Sequence, residues 1–214
     1  MRLLPALCTA VALFVASANA RATVFTFDTD PFAGTTALTT PGRQVVGGEA
    51  VINFSIASDI FAFDPAVFGI SNTISFANDL VGNLPTSGIN VVVLQTTDDD
   101  ANPATPFAAG NAANLIAAQI VSSGPGFFIY FNQGLNLPRL VFSTDLNDNT
   151  ADLKILARMT NFVGQSDILP AFTAANFAVI PSAVPEPCTW AMILIGFTGL
   201  GFAFRQSRCR MAMA

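Results

Sequence analysis

The 214-residue sequence contains no histidine and only one tyrosine. The lack of histidine excludes nucleophile and base pairs of the Ser-His or Cys-His type, and it excludes zinc sites built on His and Cys. The three cysteines, Cys8, Cys188 and Cys209, all lie near the two ends of the chain. The long middle part therefore contains no thiol, and packing alone must hold it together.

Positive charge is also scarce in the middle of the chain. Between Arg21 and Ala183 there are five Lys and Arg residues and thirteen Asp and Glu residues, which gives a net charge of −8. Binding of phosphate groups requires a basic face. Nucleic acids and anionic membrane surfaces are therefore not expected as partners.

The same middle part has a single glutamate, Glu49, among its acidic residues. A glycosidase needs two carboxylates that flank a sugar, and no spacing in this sequence singles out such a pair. A Gly-rich phosphate loop is also missing, since Gly47 and Gly48 form a bare pair that indicates a turn or a bulge. The composition thus predicts a protein that is not an enzyme and has no cofactor, apart from the calcium site described below.

The N-terminus has the three parts of a secretory signal peptide. Arg2 supplies positive charge, Leu3–Val15 is apolar, and Ala18 and Ala20 form a cleavage site of the A-x-A type. We expect residues 1–20 to be removed by the general secretion machinery and the mature protein to begin at Arg21.

The C-terminal residues 184–214 also have three parts. A rigid Pro185-Glu186-Pro187 elbow is followed by an apolar stretch over residues 188–204 and by a basic end over residues 205–210. The apolar stretch is at the short end of the length that spans a bilayer as a helix. The arginines of the basic end favour the cytoplasmic side, so the preceding domain is expected to face away from the cytoplasm.

This tail resembles the PEP-CTERM sorting signal of Gram-negative bacteria, which an exosortase-type membrane protease recognises. The motif positions of its PEPxxWA variant are occupied by Pro185, Glu186, Pro187, Trp190 and Ala191. The arginines of its basic end are Arg205, Arg208 and Arg210. This basic end departs from the pattern, because Gln206, Ser207 and Cys209 interrupt the arginines and the apolar residues MAMA follow them. A plain single-pass anchor that no protease cuts is the alternative.

Residues 21–183 have the length of one exported domain. Short alternating segments separated by Gly, Pro and Asn predict a mainly β fold, an antiparallel β-sandwich with one short helix at Asn111–Val121. Ile89–Gln95 is apolar on both faces and is predicted to be a central strand. Ser58–Gly69 is predicted to be rich in turns, and Ala151–Met159 to be a strand with Asp152, Lys154 and Arg158 on its outer face.

Oxygen-bearing side chains alternate in the sequence DLNDNTAD. Asp145, Asn147, Asn149 and Asp152 have the ligand types and spacing of a calcium loop, although the loop lacks the glycine and the closing glutamate of an EF-hand. The alternative is a solvated turn rich in Asp and Asn.

Residues 102–120 and 126–159 also resemble a segment that recurs in other exported PEP-CTERM proteins and that implies no activity. The family occurs in bacteria that make extracellular polysaccharide, so the resemblance implies a cell-surface or extracellular-matrix protein in an exopolysaccharide or biofilm. The protein would be exported across the inner membrane, held transiently by the tail helix and then released to the cell surface or beyond. The alternative function is a secreted carbohydrate-binding module, with or without calcium.

Overall fold

The computed structural model describes residues 22–122 and 124–181, together with Met192 and Ile195. The predicted signal peptide, with Ala18 and Ala20, lies outside the described residues. The sorting motif and the arginines of the basic end also lie outside the described residues. Among the residues that are described, no helix is long and apolar enough to cross a membrane.

The described chain forms ten strands, two α-helices and four short 3-10 helices. The strands are β1 Val24–Phe27, β2 Val45–Val46, β3 Ala50–Ile52, β4 Ile60–Phe63, β5 Phe76–Asp79, β6 Val91–Leu94, β7 Gly126–Asn132, β8 Leu137–Ser143, β9 Leu153–Met159 and β10 Phe177–Val179. The α-helices are α1 Pro65–Phe68 and α2 Ala109–Gln119, and the 3-10 helices are Val81–Asn83, Thr160–Phe162, Ser166–Ala171 and Ala174–Asn176.

The strands form two sheets. The smaller sheet has the order β1-β4-β10, and the larger one has the order β2-β9-β8-β7-β6-β5, with β3 also paired to β9. Six of the eight pairings between described strands are parallel, and only β7 with β8 and β8 with β9 are antiparallel.

The mainly β prediction is confirmed, whereas the antiparallel prediction is wrong. Alternation of apolar and polar residues indicates a strand but carries no information about the direction of its neighbour. Direction is decided by the connections, because parallel neighbours need a long crossover. Helix α2 supplies such a crossover between β6 and β7. In the small sheet, the parallel neighbours β1 and β4 are joined by a long connection that contains β2 and β3 of the large sheet.

Two apolar layers cover the two faces of the large sheet. One layer lies between the sheets and contains Phe61 and Phe63 of β4 with Phe127 and Phe142 of the large sheet. The other layer lies under α2, where Ala112 and Ile116 meet the opposite face. The fold therefore has three layers, small sheet, large sheet and helix, rather than the two layers of a simple sandwich.

Individual elements agree with the sequence where their pattern is strong. The single predicted helix is confirmed as α2, and β6 is a completely buried interior strand, although it lies next to the edge strand β5 rather than at the centre of the sheet. The turn-rich prediction for Ser58–Gly69 is wrong over Ile60–Phe63, because this segment is the central strand of the small sheet and is buried by its neighbours on either side.

Candidate functional site

The predicted calcium loop is built from turns in which side chains bind the backbone. The Oδ1 atom of Asp145 accepts hydrogen bonds from the backbone N–H groups of Gly124 and Asn147, both at 2.9 Å. The side-chain amide of Asn147 donates to the carbonyl of Ile120, at the end of α2. Asp148, the residue between the predicted ligands, accepts from the backbone N–H of Thr150 at 2.7 Å. The bonds from Asn147 to Asp145 and from Thr150 to Asp148 are typical of Asx turns, and the other two tie the loop to the end of α2 and to Gly124.

Asp152 does not lie on the outer surface as predicted. Its side chain is buried, and its two carboxylate oxygens accept backbone N–H groups of Leu38 and Gln44, each at 2.6 Å. The carboxylate thus ties the 38–44 loop to the start of β9. A buried carboxylate without such donors would be costly, so these bonds explain its position.

The remaining predicted ligand, Asn149, is exposed and lines a polar cavity of about 460 Å³ together with Asn114 of α2, Asn147 and Asp148. The structure therefore brings Asn147 and Asn149 to one cavity, whereas Asp152 is bonded to a different loop. Calcium binding stays a prediction.

A second acidic group lies in the loop before α2. Asp98, Asp99 and Asp100 are exposed, and their carboxylate oxygens lie within 4.8 Å of one another. The loop uses these oxygens internally, since Asp98 accepts from the backbone N–H groups of Asp100 and Ala101. Exposed acidic turns of this kind are common without an ion.

A cluster that contains two arginines lies on the large sheet. Tyr130 of β7 is directly opposite Arg139 of β8, which is directly opposite Arg158 of β9. Residues that are paired in this way project from the same face of a sheet. Tyr130 belongs to the apolar layer under α2, so the row lies on the helix side of the sheet.

Glu49 joins the two arginines. One of its carboxylate oxygens lies 2.5 Å from the Nη2 atom of Arg139 and 3.1 Å from the Nη2 atom of Arg158. Burial would raise the pKa of Glu49, but the hydrogen bond to its own backbone and the two arginines outweigh burial and lower the pKa below its ordinary value. Glu49 is therefore held as a carboxylate. We call Glu49, Tyr130, Asn132, Arg139 and Arg158 the arginine cluster.

Tyr130 closes the buried end of the arginine cluster. Its hydroxyl oxygen accepts a hydrogen bond of 2.9 Å from the side-chain amide of Asn132. Burial raises the pKa of Tyr130, so the phenol stays protonated near neutral pH. A neutral, fixed hydroxyl contributes polarity to the site without adding a negative charge.

The backbone explains how Glu49 reaches the arginines. The edge strand is interrupted between β2 and β3 by Gly47-Gly48-Glu49, opposite an irregularity in the β8–β9 pairing. Gly48 has a φ of +88°, a conformation that favours glycine. The predicted turn or bulge at this glycine pair is confirmed, and it turns Glu49 toward the sheet face.

The sequence prediction missed this cluster because its residues come from three distant segments. A usable signal was the scarcity of cations. Within residues 22–122 and 124–181 there are four Lys and Arg residues. Each is part of the Arg43–Glu49 segment or bonded to it: Arg43 itself, Lys154 through the carbonyl of Gly47, and Arg139 and Arg158 through Glu49.

Comparison of the chain with models of known protein families, with curated proteins and with solved structures found no match to any of them.

Proposed function

We propose that this chain is an exported, non-enzymatic protein of the cell surface or extracellular matrix, sorted by its C-terminal tail and cleaved there by an exosortase-type protease. One observation carries the proposal. Pro185-Glu186-Pro187, the apolar stretch 188–204 and the arginines that follow occur in this order and spacing in the sequence. A proline-rich elbow adds nothing to simple membrane insertion, but it gives a protease a fixed, extended segment to bind.

The chemistry of the described domain supports the non-enzymatic part of the proposal. The buried carboxylates already have structural partners: Asp152 caps a loop, Glu49 pairs with arginines, and Asp59 accepts the backbone N–H groups of Thr23 and Ser55. A general acid or base needs a proton that it can exchange with a substrate. These carboxylates are committed to holding the fold.

The aromatic residues favour a matrix or surface role over carbohydrate binding by ring stacking. The single tyrosine, Tyr130, is completely buried, and so are Phe61, Phe63 and Phe127. Stacking on a sugar requires an aromatic face that is open to solvent. The described domain uses its aromatic rings for its core, and a role within an exopolysaccharide matrix would need polar contacts instead.

The proposal is tested by the intact mass and the location of the protein in its native host. Wild-type protein should appear as a shortened form without the tail, because the protease removes it. Glu186→Ala or Pro187→Ala should give a full-length, membrane-bound form. Pro181→Ala, which removes a proline four residues before the motif, is the matched control and should be processed normally.

Two results would contradict the proposal. Wild-type protein that still contains Trp190 to Ala214 would show that no protease acts on the tail. Equal processing of Glu186→Ala and the Pro181→Ala control would show that cleavage does not depend on the motif.

A further inference from the structure

The arginine cluster has one more positive charge than its acid can balance. Arg139 and Arg158 stand directly opposite each other on neighbouring strands and share a single oxygen of Glu49. Like charges at directly opposite positions of a sheet repel each other. The surplus is notable in this chain, where the segment from Arg21 to Ala183 has a net charge of −8 and cations are few.

The guanidinium groups also have unused hydrogen-bond donors. The Nε atoms of both Arg139 and Arg158 are buried and have no hydrogen-bond partner among the residues that the structure describes. A guanidinium has five N–H donors in a planar fork that matches a carboxylate. Arg139 donates one of them to Glu49, whereas Arg158 faces Glu49 only as an ion pair. The part of the chain that the structure describes therefore supplies too few acceptors for this pair of guanidinium groups, and the solvent-exposed part of Arg158 is the part that an external acceptor can reach.

One side of the cluster is open to solvent. The Arg158 side chain is 36% exposed, compared with 15% for Arg139 and 7% for Glu49. Val51, which is directly opposite Arg158 on the edge strand β3, is 63% exposed. A ligand can therefore approach Arg158 from the sheet edge, whereas Arg139, Asn132 and Tyr130 form the fixed inner wall.

We propose that Arg158, backed by Arg139, binds the carboxylate of an external ligand at this edge of the large sheet. Glu49 holds the two guanidinium groups side by side, and the external carboxylate balances the remaining charge. The carboxylate can belong to a free small acid or to a uronic-acid unit of a polymer, and the experiment separates these sources. The proposal does not depend on how the tail is processed.

The test is calorimetric titration of the full-length protein in detergent micelles with three probes. The two saccharides are compared at the same concentration of sugar units, and acetate at the same concentration of carboxylate as the charged saccharide. The probes are an oligogalacturonate, its methyl ester, which has the same sugars without charge, and sodium acetate. We expect the oligogalacturonate to bind and its methyl ester not to bind. Binding by acetate at equal carboxylate concentration would assign the site to free small acids, and its absence would assign it to the polymer.

Two variants make the test specific. Arg158→Gln removes the exposed guanidinium and should weaken binding about tenfold or more, as expected for the loss of a charge-assisted hydrogen bond. Ser87→Asp changes the net charge by the same amount in the exposed loop before β6, which two strands separate from β9, and should alter the affinity by less than about twofold. Unfolding curves of both variants confirm that they are folded.

The proposal is overturned if the wild-type protein binds no carboxylate probe at millimolar concentration. It is also overturned if the methyl ester binds as well as the acid. Equal weakening by Arg158→Gln and Ser87→Asp would show general charge attraction without a site, which likewise overturns it.

Discussion

The two faces of the large sheet are covered by different elements, a second sheet on one side and a helix on the other. The face toward the small sheet is filled by large rings, with the Phe63 and Phe127 centroids only 3.6 Å apart and Phe68 edge-on to both. On the face toward α2, the sheet contributes large residues such as Phe128 and Tyr130, and the helix packs against them mainly with small ones, including Ala109, Ala112 and Ala113. On the same face, Gly126 lets the Leu146 side chain approach the backbone.

The two faces of the sheet therefore have different roles in the domain. The ring-filled layer excludes polar groups and contributes apolar burial, which is the main stabilising term of a domain without disulfides. The helix side ends in the row of Tyr130, Arg139 and Arg158, where polar groups meet solvent at the edge. Loss of a ring should therefore be harmful between the sheets, and added bulk should be harmful where the helix side is closely packed around small residues.

The largest effect is expected from Phe63→Ala. Phe63 is completely buried between the two sheets, and removing its ring leaves a cavity between Phe68 and Phe127. The free energy of unfolding should fall by about 3–5 kcal/mol, measured by urea denaturation of the full-length chain. Phe63→Leu keeps most of the volume and should cost clearly less; equal losses for the two variants would contradict the cavity explanation.

A smaller loss is expected from Gly126→Ala on the helix side. An added Cβ would lie 2.5 Å from the Leu146 Cδ1 atom and 2.7 Å from the Asn90 carbonyl oxygen, so the backbone must shift. The expected cost is about 1–3 kcal/mol in the same assay. Gly82→Ala is the matched control, because nothing lies within 4 Å of its added methyl group. A stable Gly126→Ala variant would show that this face tolerates bulk.

Asp59→Asn should remove a pH-dependent contribution at the rim of the ring-filled layer. Burial would raise the pKa of Asp59, but hydrogen bonds from Ser55, Thr23 and Ser58 outweigh it and lower the pKa. The carboxylate therefore stabilises the fold fully above its unfolded pKa of about 3.9, and this contribution is lost as the pH falls through the lower, folded pKa.

Near neutral pH, Asp59→Asn should cost about 1–2 kcal/mol, and the difference from wild type should shrink as the pH falls below about 3.9. Urea denaturation across this pH range measures it. Asp167→Asn, at an exposed position, is the control for the loss of one negative charge. A difference that stays constant into acid would contradict the role of the Asp59 carboxylate.

The smallest effect is expected from Arg158→Gln. Its ion pair with Glu49 is partly exposed and is opposed by repulsion from Arg139, so unfolding should change by less than about 1 kcal/mol. Arg139→Gln should cost more, because Arg139 is more buried and closer to Glu49. Thermal unfolding of the two variants checks this order, and the reverse order would show that Arg158 is the structural partner of Glu49.

Prediction from sequence succeeded where a signal is local. The predicted helix Asn111–Val121 has Ala and Leu type residues without proline or glycine, and β6 is a continuous apolar run, so both elements could be recognised. Helix α2 begins two residues earlier, at Ala109, and includes Gly110. The glycine pair before Glu49 indicated a break in a strand for the same reason. Strand β4 was missed because Asp64-Pro65 directly after it indicates a turn, and that turn is the start of α1.

The candidate site could not be predicted, because its parts are far apart in the chain. Glu49 lies 90 positions from Arg139, and only the pairing of β8 with β9 places Arg139 opposite Arg158. Asp152 was assigned to the outer face by alternation, but its contacts are with Leu38 and Gln44, more than a hundred positions away. Periodicity describes a strand by itself and contains nothing about which loop lies against it.

The sequence by itself determined the mainly β character of the domain, its negative charge, its lack of histidine and thiol chemistry, and the motif in its tail, because composition and short-range pattern are sufficient for each. Only the tertiary structure decided the parallel pairing of most strands, the three-layer arrangement and the meeting of Glu49 with two arginines. These depend on crossovers and on the register between distant strands, which are set by the free energy of the whole packed chain rather than by any one segment.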